Sequence, residues 1–391
     1  MTEPWKQSWE ATAVYRARVR GCLLGGAVGD ALGYPVEFSS LDRIRATHGP
    51  RGVTGLLPST DGTDGAAGPV ALITDDTQMT LFTVEGLRQA HERERLKGIG
   101  GGWPRLLRWA YERWLETQLR PGPEASRPAQ PSGGSYEGPR GGLITERWLY
   151  ARRAPGNACL SGLTHADFVP DPTAELGPPG PVNPGSKGCG TVMRSAPFGL
   201  TGSDPATAFG MAARCAQMTH GHPTGYYAAG ALAAIIAYIL AGDSIEGAAL
   251  RTLRLLAGHP GHEETTAALK QALDLAAEGT PTPEKLEKLG AGWVAEEALA
   301  IGVCSALAAP RVEDALLLSV NHSGDSDSTG SICGNILGAR HGDHGLPHAW
   351  VEQVEGRARI AALADDLAAE RVAGRPMAPS DQGRGGPPVA V

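Results

Sequence analysis

The sequence predicts an all-α protein. Apolar residues recur at the helical period in many segments, whereas the apolar–polar alternation that is typical of strands hardly occurs over five or more residues. Short connections rich in glycine, proline and aspartate separate the helical segments. The clearest helices are predicted at residues 77–88, 206–218, 226–240, 245–257, 264–278 and 292–308.

The 391 residues are predicted to form one domain. Helical pattern and composition resume after each loop, so no boundary is required within residues 16–370. Residues 1–15 are interpreted as an N-terminal extension. Residues 118–142, which are dense in proline, glycine and serine, are interpreted as a flexible insertion, and residues 374–391 as a disordered tail.

The composition argues against a nucleic-acid-binding or membrane protein. The net charge is −7 and aromatic residues make up only 5% of the chain, so neither a basic surface nor a base-stacking platform is expected. The longest apolar run, Tyr226 to Gly242, is slightly short for a membrane span and predicts a buried core helix. The start of the chain lacks a signal peptide's apolar stretch, and the six cysteines are scattered as reduced thiols would be. Both observations favour a cytoplasmic protein.

Two short stretches place acids and hydroxyls before helical patterns: ITDDTQMT at residues 73–80 and NHSGDSDSTGS at residues 321–331. Asp, Ser and Thr are preferred helix caps, which explains any one of these acids. A cap needs only one residue, however, and each stretch offers two acids and a hydroxyl. Side chains at i and i+2 do not face each other on a helix, so we expect each pair in the loop that enters its helix. The candidate residues are Thr74, Asp75, Asp76, Asp325, Asp327 and Ser328.

If the two stretches meet in the fold, four carboxylates come together and raise one another's pKa values. A divalent cation relieves this repulsion. Ligation by oxygen alone suits Mg²⁺, Mn²⁺ or Ca²⁺ rather than Zn²⁺. Two cations that share an aspartate would use this many acids.

Three other motifs fit less well. The DxDx[TV] loop of haloacid-dehalogenase-type phosphatases needs a later lysine, but Lys288 is the last lysine and precedes DSDST. An EF-hand loop needs a glutamate where Ile336 stands. The closely spaced histidines in THGHP and GHPGHEE lack the HExxH register and the cysteine partners of a zinc site.

Two glycine-rich stretches predict close approach of other groups. GCLLGGAVGDALGYPVEF, residues 21–38, forms a small-residue helix and turn against which another element or a ligand packs. Glu37 lies in its final loop, either as a solvated acid or as a functional one. In NPGSKGCGTVMRSAPFGL, residues 183–200, the glycines leave backbone N–H groups open to a phosphate. Lys187 and Arg194 either neutralise that phosphate or are solvated.

Together these stretches resemble the ADP-ribosylglycohydrolase family, which includes dinitrogenase-reductase-activating glycohydrolase and the eukaryotic ADP-ribosyl-acceptor hydrolases. The matching segments follow the family's order: residues 21–38, 73–80, 186–200, 219–232 (THGHPTGYYAAGAL), 292–307 (GWVAEEALAIGVCSAL) and 321–339 (NHSGDSDSTGSICGNILGA). APGNACLSGL and LADDLA look like the bacterial branch.

The resemblance implies a single large orthogonal helical bundle with two Mg²⁺, or Mn²⁺, at the base of a cleft. The metal ligands, in two half-sites at helix N-termini, would be Thr74, Asp75, Asp76, Asp325, Asp327 and Ser328. The residues along the diphosphate and ribose would be Gly188, Cys189, Gly190 and Met193, with His220 towards the adenosine. Glu37 matches a loop glutamate that closes over the site in the serine-specific relatives. Lys187–Gly188–Cys189 replaces the GNG of many relatives.

The function implied by the resemblance is hydrolysis of the bond from ribose C1″ of ADP-ribose to an acceptor, through an oxocarbenium-like transition state. Arginine N-linked ADP-ribose, on a protein or a small molecule, is the favoured substrate. The alternatives are serine O-linked ADP-ribose, a nucleobase linkage, O-acetyl-ADP-ribose, and ADP-ribose binding without catalysis, as in an immunity module. The candidate catalytic residues are Asp325, Glu37 and Asp76, with Asp325 or Glu37 as general base. We expect a monomer.

Overall fold

The computed structural model describes residues 4–59, 70–123, 142–165 and 167–373. Most of the predicted insertion and the whole predicted tail lie outside these residues. Within them the chain forms sixteen α-helices and three isolated β-bridges but no sheet, which confirms the all-α prediction. The helices are α1 (Pro4–Gly33), α2 (Leu41–His48), α3 (Asp75–Lys97), α4 (Trp103–Leu119), α5 (Asn157–His165), α6 (Ala196–Gly199), α7 (Pro205–Ala216), α8 (Pro223–Leu240), α9 (Ile245–Leu256), α10 (Glu263–Ala277), α11 (Pro283–Leu286), α12 (Ala295–Ala308), α13 (Val312–Val320), α14 (Ser326–His341), α15 (His348–Val351) and α16 (Arg357–Ala373).

The six predicted helices are present as α3, α7, α8, α9, α10 and α12. Their ends agree with the prediction within three residues, except that α3 continues to Lys97 instead of ending at residue 88. The apolar period fades along this polar last part, so periodicity alone underestimates its length. The helix ends where Gly98 adopts a left-handed conformation, with φ of 64°.

The N-terminal residues form part of the first long helix. α1 begins at Pro4 and therefore runs through the predicted boundary at residue 16. Tyr15 is buried, and its hydroxyl donates a hydrogen bond to the carbonyl of Leu200. Tyr15, just before position 16, thus packs against the rest of the domain.

α8 is the central helix and packs against α7, α9, α12 and α14. In the described part of the chain it is the one helix long and apolar enough to cross a membrane, but 83% of its 18 residues are buried inside the protein. Pro223 at its start is already in the backbone conformation that a helix requires. Its apolar composition is therefore that of the core helix predicted from the sequence.

α1 and α14 cross with their backbones in direct contact. Glycines recur at every fourth position of α1, at 21, 25, 29 and 33, and meet the α14 backbone at 338, 334, 330 and 326, in reverse order. A Cβ atom on Gly29 would lie 1.9 Å from the carbonyl oxygen of Gly330. Of the two predicted explanations for this glycine-rich segment, a neighbouring helix is therefore the correct one. The antiparallel crossing places the C-terminal end of α1 beside the N-terminal end of α14.

Candidate active site

A cavity of about 310 Å³ opens where the C-terminal end of α1 and the N-terminal ends of α3 and α14 meet. The predicted site residues that line it are Glu37, Asp75, Asp76, Gly188, Cys189, Gly190, Met193, His220, Asp325, Asp327 and Ser328. Thr74 is buried but is not among its lining residues in the described part of the chain. The fold thus brings together segments that lie near the two ends of the sequence and in its middle.

The acids of both half-sites lie at the starts of their helices, in the cap position or in the first turn. Thr74 caps α3, and its hydroxyl accepts a hydrogen bond from the backbone N–H of Asp76 at 3.3 Å. Asp325 caps α14, and its carboxylate accepts from the backbone N–H of Ser328 at 3.4 Å. The prediction that each pair lies in the entry loop is therefore wrong for Asp75, Asp76 and Asp327, which are already helical, and right for Asp325, which caps α14 from outside the helix. The partial positive charge of each helix N-terminus also stabilises the ionised form of these acids.

Asp30 joins α1 to the start of α3. Its buried carboxylate accepts hydrogen bonds from the backbone N–H of Thr74 at 3.0 Å and of Thr77 at 3.1 Å. Burial, with the charge of Asp327 added, raises the pKa of Asp30 to about 7. The carboxylate therefore holds the α3 half-site in place from beneath the cavity.

Arg153 fixes the segment that enters α3 from the other side. Its guanidinium donates to the carbonyl of Ile73 at 2.6 Å and forms a buried ion pair with Glu355. Its own carbonyl accepts from the backbone N–H of Asp75 at 3.4 Å. A paired, buried arginine of this kind is rigid, so the first turn of α3 has little freedom.

Three acids are close enough to share one cation. Carboxylate oxygens of Glu37, Asp325 and Asp327 all lie within 4.8 Å of one another. One oxygen of Glu37 and one of Asp76 are buried and have no hydrogen-bond partner among the described residues. Unsatisfied buried acceptors are unfavourable unless something binds them. The donor set, which is all oxygen and mostly carboxylate, fits Mg²⁺, Mn²⁺ or Ca²⁺.

Burial and mutual repulsion raise the pKa values of these acids. Burial, together with the charges of Asp327 and Asp325, raises the pKa of Glu37 to about 10. Burial and Asp327 likewise raise the pKa values of Asp75, Asp76 and Asp325 well above the usual range of a carboxyl group. Without a cation, Glu37 therefore holds a proton at neutral pH.

The glycine-rich loop forms the opposite wall. The backbone N–H of Cys189 donates to the carbonyl of Trp293 at 3.1 Å, and its side chain lines the cavity beside Asp325 and Ser328. Burial raises the pKa of this thiol well above its usual range. A Cβ atom on Gly190 would lie 2.6 Å from the sulfur of Cys159, so the wall has no room for a side chain there.

Both basic residues of this stretch already have partners in the fold. Lys187 forms an ion pair with Glu264 at 2.8 Å and another with Glu296. Arg194 is buried, donates to the hydroxyl of Thr219 at 2.6 Å and lies over the ring of Tyr111. Solvation is therefore wrong for Arg194, which is buried, whereas Lys187 is ion-paired but stays partly exposed, and its contact with a phosphate stays a prediction.

His220 lines the cavity as a neutral side chain. Its Nδ1 lies 2.8 Å from the hydroxyl of Thr219. Burial, with the nearby charge of Arg194, lowers the pKa of His220 to about 3. It can exchange hydrogen bonds with a ligand, but it carries no positive charge at neutral pH.

Several lining residues were not predicted from the sequence. Phe38 and Trp293 stack on each other at the cavity, with ring centroids 5.0 Å apart. Asn157 and Ser186 line it as well and also border a shallow groove of about 710 Å³ between α5 and residues 183–186. None of these positions carries a pattern that distinguishes it from an ordinary loop residue.

Backbone strain is concentrated around the cavity and the groove. The non-glycine residues with positive φ in the described ranges are Phe38, Ala154 and Asn183. Phe38 and Ala154 line the cavity, and Asn183 lines the groove. Such conformations cost about 1–3 kcal/mol each and occur most often at functional sites.

The raised pKa values predict how the stability of the metal-free protein depends on pH. An acid with a higher pKa in the folded than in the unfolded chain loses stabilisation as pH rises between the two values. For Glu37 that interval runs from 4.5 to about 10. From about pH 7 to about pH 8, between the usual pKa values of histidine and cysteine side chains, the melting temperature in EDTA should fall with rising pH.

Two comparisons isolate this effect in thermal unfolding. Saturating Mg²⁺ or Mn²⁺ should make the melting temperature less dependent on pH, because a bound cation keeps the acids ionised in the folded state. In metal-free protein, Glu37→Gln should also reduce this dependence of the melting temperature on pH. Equal slopes with and without metal would contradict the assignment of the raised pKa values to this cluster.

Comparisons with known proteins show the family of this chain. The sequence pattern of the ADP-ribosylglycohydrolase family matches residues 11–376. An uncharacterized protein of Archaeoglobus fulgidus is 27% identical over 356 residues, which are 90% of this chain and 95% of that protein. ADP-ribosylhydrolase ARH3 of Bos taurus is 25% identical over 397 residues, which cover 90% of this chain and 92% of that protein. ADP-ribosylarginine hydrolase Tri1 of Pseudomonas putida is 41% identical over only 54 residues, 14% of this chain and 15% of Tri1.

A solved structure named "ADP-ribosylglycohydrolase-related protein complex" has the same fold. Its TM-score is 0.56 at 21% identity, and the match covers 91% of this chain and 98% of that one. The family pattern spans both half-sites, the glycine-rich loop and the helices that carry them. The chain therefore belongs to the ADP-ribosylglycohydrolase family of glycosyl hydrolases.

Proposed function

We propose that this chain hydrolyses arginine-linked ADP-ribose and that it needs two divalent cations, Mg²⁺ or Mn²⁺. The family is generally metal-dependent and acts on ADP-ribosylated substrates. The observation that carries the proposal is the cluster of buried acids, in which one oxygen of Glu37 and one of Asp76 have no hydrogen-bond partner among the described residues. Burial and mutual repulsion disfavour the ionised form of these acids. A group of such acids is typical of a cation site.

The cations would be held by Asp75, Asp76, Asp325, Asp327 and Ser328. Thr74 would support the α3 half-site as its cap. Glu37 lies within ligand distance of Asp325 and Asp327 and would face the same cations from the turn after α1. When bound, the cations supply the positive charge that ionises these acids and orients the ribose hydroxyls.

In the proposed reaction, the bond from C1″ to the arginine nitrogen breaks and a water oxygen bonds to C1″. A general base accepts a proton from that water, and the leaving guanidine nitrogen takes up a proton. Glu37 suits the role of base, because one of its oxygens is unpartnered among the described residues. Asp325, the other candidate, already accepts a hydrogen bond from the N–H of Ser328.

The remainder of ADP-ribose would extend along the glycine-rich loop. Gly188 and Gly190 present no side chain to the cavity, so a diphosphate can approach the backbone there. Neutral His220 would offer hydrogen bonds rather than charge. The groove that adjoins the cavity through Asn157 and Ser186 offers room for the adenosine.

Release of free ADP-ribose tests the proposal. Two peptides of the same sequence, one arginine-linked and one serine-linked, are incubated with the protein in Mg²⁺, in Mn²⁺ and in EDTA. We expect metal-dependent release from the arginine-linked peptide and far less from the serine-linked one. Preferred release from the serine-linked peptide would show that the acceptor is serine rather than arginine. Tight binding of ADP-ribose without release from either peptide would show that the protein binds ADP-ribose but does not hydrolyse these linkages.

A further inference from the structure

The chain exposes two aromatic rings at the cavity that holds the cluster of acids. Among the large hydrophobic side chains that are exposed in the described residues, only Phe38 and Trp293 are aromatic. Phe38 is 70% exposed and Trp293 39%. The two rings stack with an interplanar angle of 26°, and both line the cavity that holds the acids. Exposed apolar rings beside a polar site are unfavourable in water unless they meet a ligand.

The backbone around both rings is fixed. Trp293 accepts a hydrogen bond from the N–H of Cys189, and a β-bridge joins Gly188 to Val294. Phe38 directly follows Glu37, whose N–H donates to the carbonyl of Gly33 at 2.9 Å. The ring pair therefore connects the turn after α1 to the segment before α12, on either side of the cavity.

Phe38 occupies an unfavourable backbone conformation. Its φ of 65° lies in the left-handed region, where a bulky side chain is an outlier. Ring stacking between two side chains contributes about 0.5–1.5 kcal/mol, which does not clearly exceed the cost of the conformation. A strained, exposed aromatic residue next to a site acid points to a role in binding.

We propose that Phe38 and Trp293 form the acceptor subsite, where the guanidinium of an ADP-ribosylated arginine lies against their ring faces. This inference rests on the proposed function and names the residues that would select its acceptor. Aromatic faces attract flat cations by about 1 kcal/mol where exposed and about 2 kcal/mol where desolvated, and arginine uses them more than lysine does. A serine-linked substrate has no group that gains from these rings.

The position of the pair favours the acceptor over the adenine. Phe38 adjoins Glu37, whose carboxylate lies within 4.8 Å of those of Asp325 and Asp327. The bond to be broken must lie near these acids. The adenine is at the far end of ADP-ribose, which the proposed function places towards the groove at Asn183, so it is a competing occupant of the ring pair that the experiment distinguishes.

The test compares Phe38→Ala, Trp293→Ala and Phe38→Leu with wild type and with Leu250→Ala. Leu250 is 46% exposed on α9 and serves as a matched surface control. For the two alanine variants, KM for the arginine-linked peptide should rise about five- to thirtyfold. Hydrolysis of any serine-linked peptide and the affinity for free ADP-ribose should stay within about twofold. Phe38→Leu keeps apolar bulk without a ring and should resemble Phe38→Ala.

A binding experiment separates this inference from the proposed hydrolysis. Agmatine, which carries a guanidinium, is titrated into protein that is saturated with metal and ADP-ribose. Wild type and Leu250→Ala should bind it, and both alanine variants should bind it at least fivefold more weakly. If agmatine binds but neither peptide is hydrolysed, the proposed hydrolysis is wrong and the acceptor subsite at Phe38 and Trp293 is supported. Equal agmatine affinity in all variants, or weaker ADP-ribose binding in Phe38→Ala, would overturn the subsite.

Discussion

Asp327→Asn should abolish metal-dependent hydrolysis and, at the same time, stabilise the metal-free protein. Asp327 is one of the three acids whose oxygens lie within 4.8 Å of one another. Its charge raises the pKa of other acids in the cluster, namely Asp30, Glu37, Asp75, Asp76 and Asp325. Asparagine keeps the size of the side chain, and its oxygen can still accept the hydrogen bond that Asp327 takes from the N–H of Ser328 at 3.0 Å. It removes only the charge.

Activity and metal-free stability should change in opposite directions, because the charge of Asp327 attracts the cation but repels the other acids of the folded chain. A cation loses an anionic ligand, so Mn²⁺ affinity measured by calorimetry should fall. Turnover should fall by about 10³-fold or more, since bound metals supply several kcal/mol of transition-state stabilisation. The remaining acids lose a repelling neighbour, so the melting temperature in EDTA should rise.

Asp204→Asn is the matched control. Asp204 also lies at a helix start, where it caps α7 through the N–H groups of Ala206 and Thr207, and it is not a lining residue of the cavity. This variant should leave turnover unchanged. If Asp327→Asn loses turnover and also lowers the melting temperature in EDTA, Asp327 stabilises the fold and the cation site is wrongly assigned.

Gly29→Ala should destabilise the protein by about 2–3 kcal/mol, although it adds only one methyl group. The new Cβ atom would lie 1.9 Å from the carbonyl oxygen of Gly330, which is backbone and cannot rotate away. The two helices must separate by more than an ångström to admit it. Because α14 carries Asp325 and Asp327 and α1 leads to Glu37, the same displacement should weaken metal binding. Urea unfolding and Mn²⁺ titration measure the two consequences.

Gly102→Ala provides the comparison. A Cβ atom there meets nothing within 4 Å, and the φ of Gly102 is −82°, which any residue adopts. This variant should change the free energy of unfolding by less than about 0.5 kcal/mol. Similar losses in the two variants would mean that the contact between α1 and α14 is not what limits stability.

The sequence predicts much of the local structure of this protein, because helical periods and caps depend on residues within one or two turns. Apolar spacing places six helices within three residues at all but one end. The glycines at every fourth position of α1 indicate a close neighbour, but not which one. The acids at Asp75 and Asp325 are recognisable as helix starts, yet local pattern cannot distinguish their last loop position from their first helical one.

Which residues meet was decided by the tertiary structure. Glu37 joins Asp325 and Asp327 only because glycines let α1 and α14 touch along their length. Lys187 and Arg194 look free in the sequence, but carboxylates and a hydroxyl supplied by distant segments engage them.

The chemistry of the site also depends on the tertiary structure. The pKa of Glu37 rises to about 10 because burial and repulsion act together, and both come from residues that are distant from Glu37 in the sequence. The stacking of Phe38 on Trp293 joins positions far apart in the chain. The sequence by itself therefore determined the helices and supplied most of the site's side chains, since both follow from short-range pattern. The fold alone decided their distances, burial and charge, because these depend on contacts between segments that the chain separates.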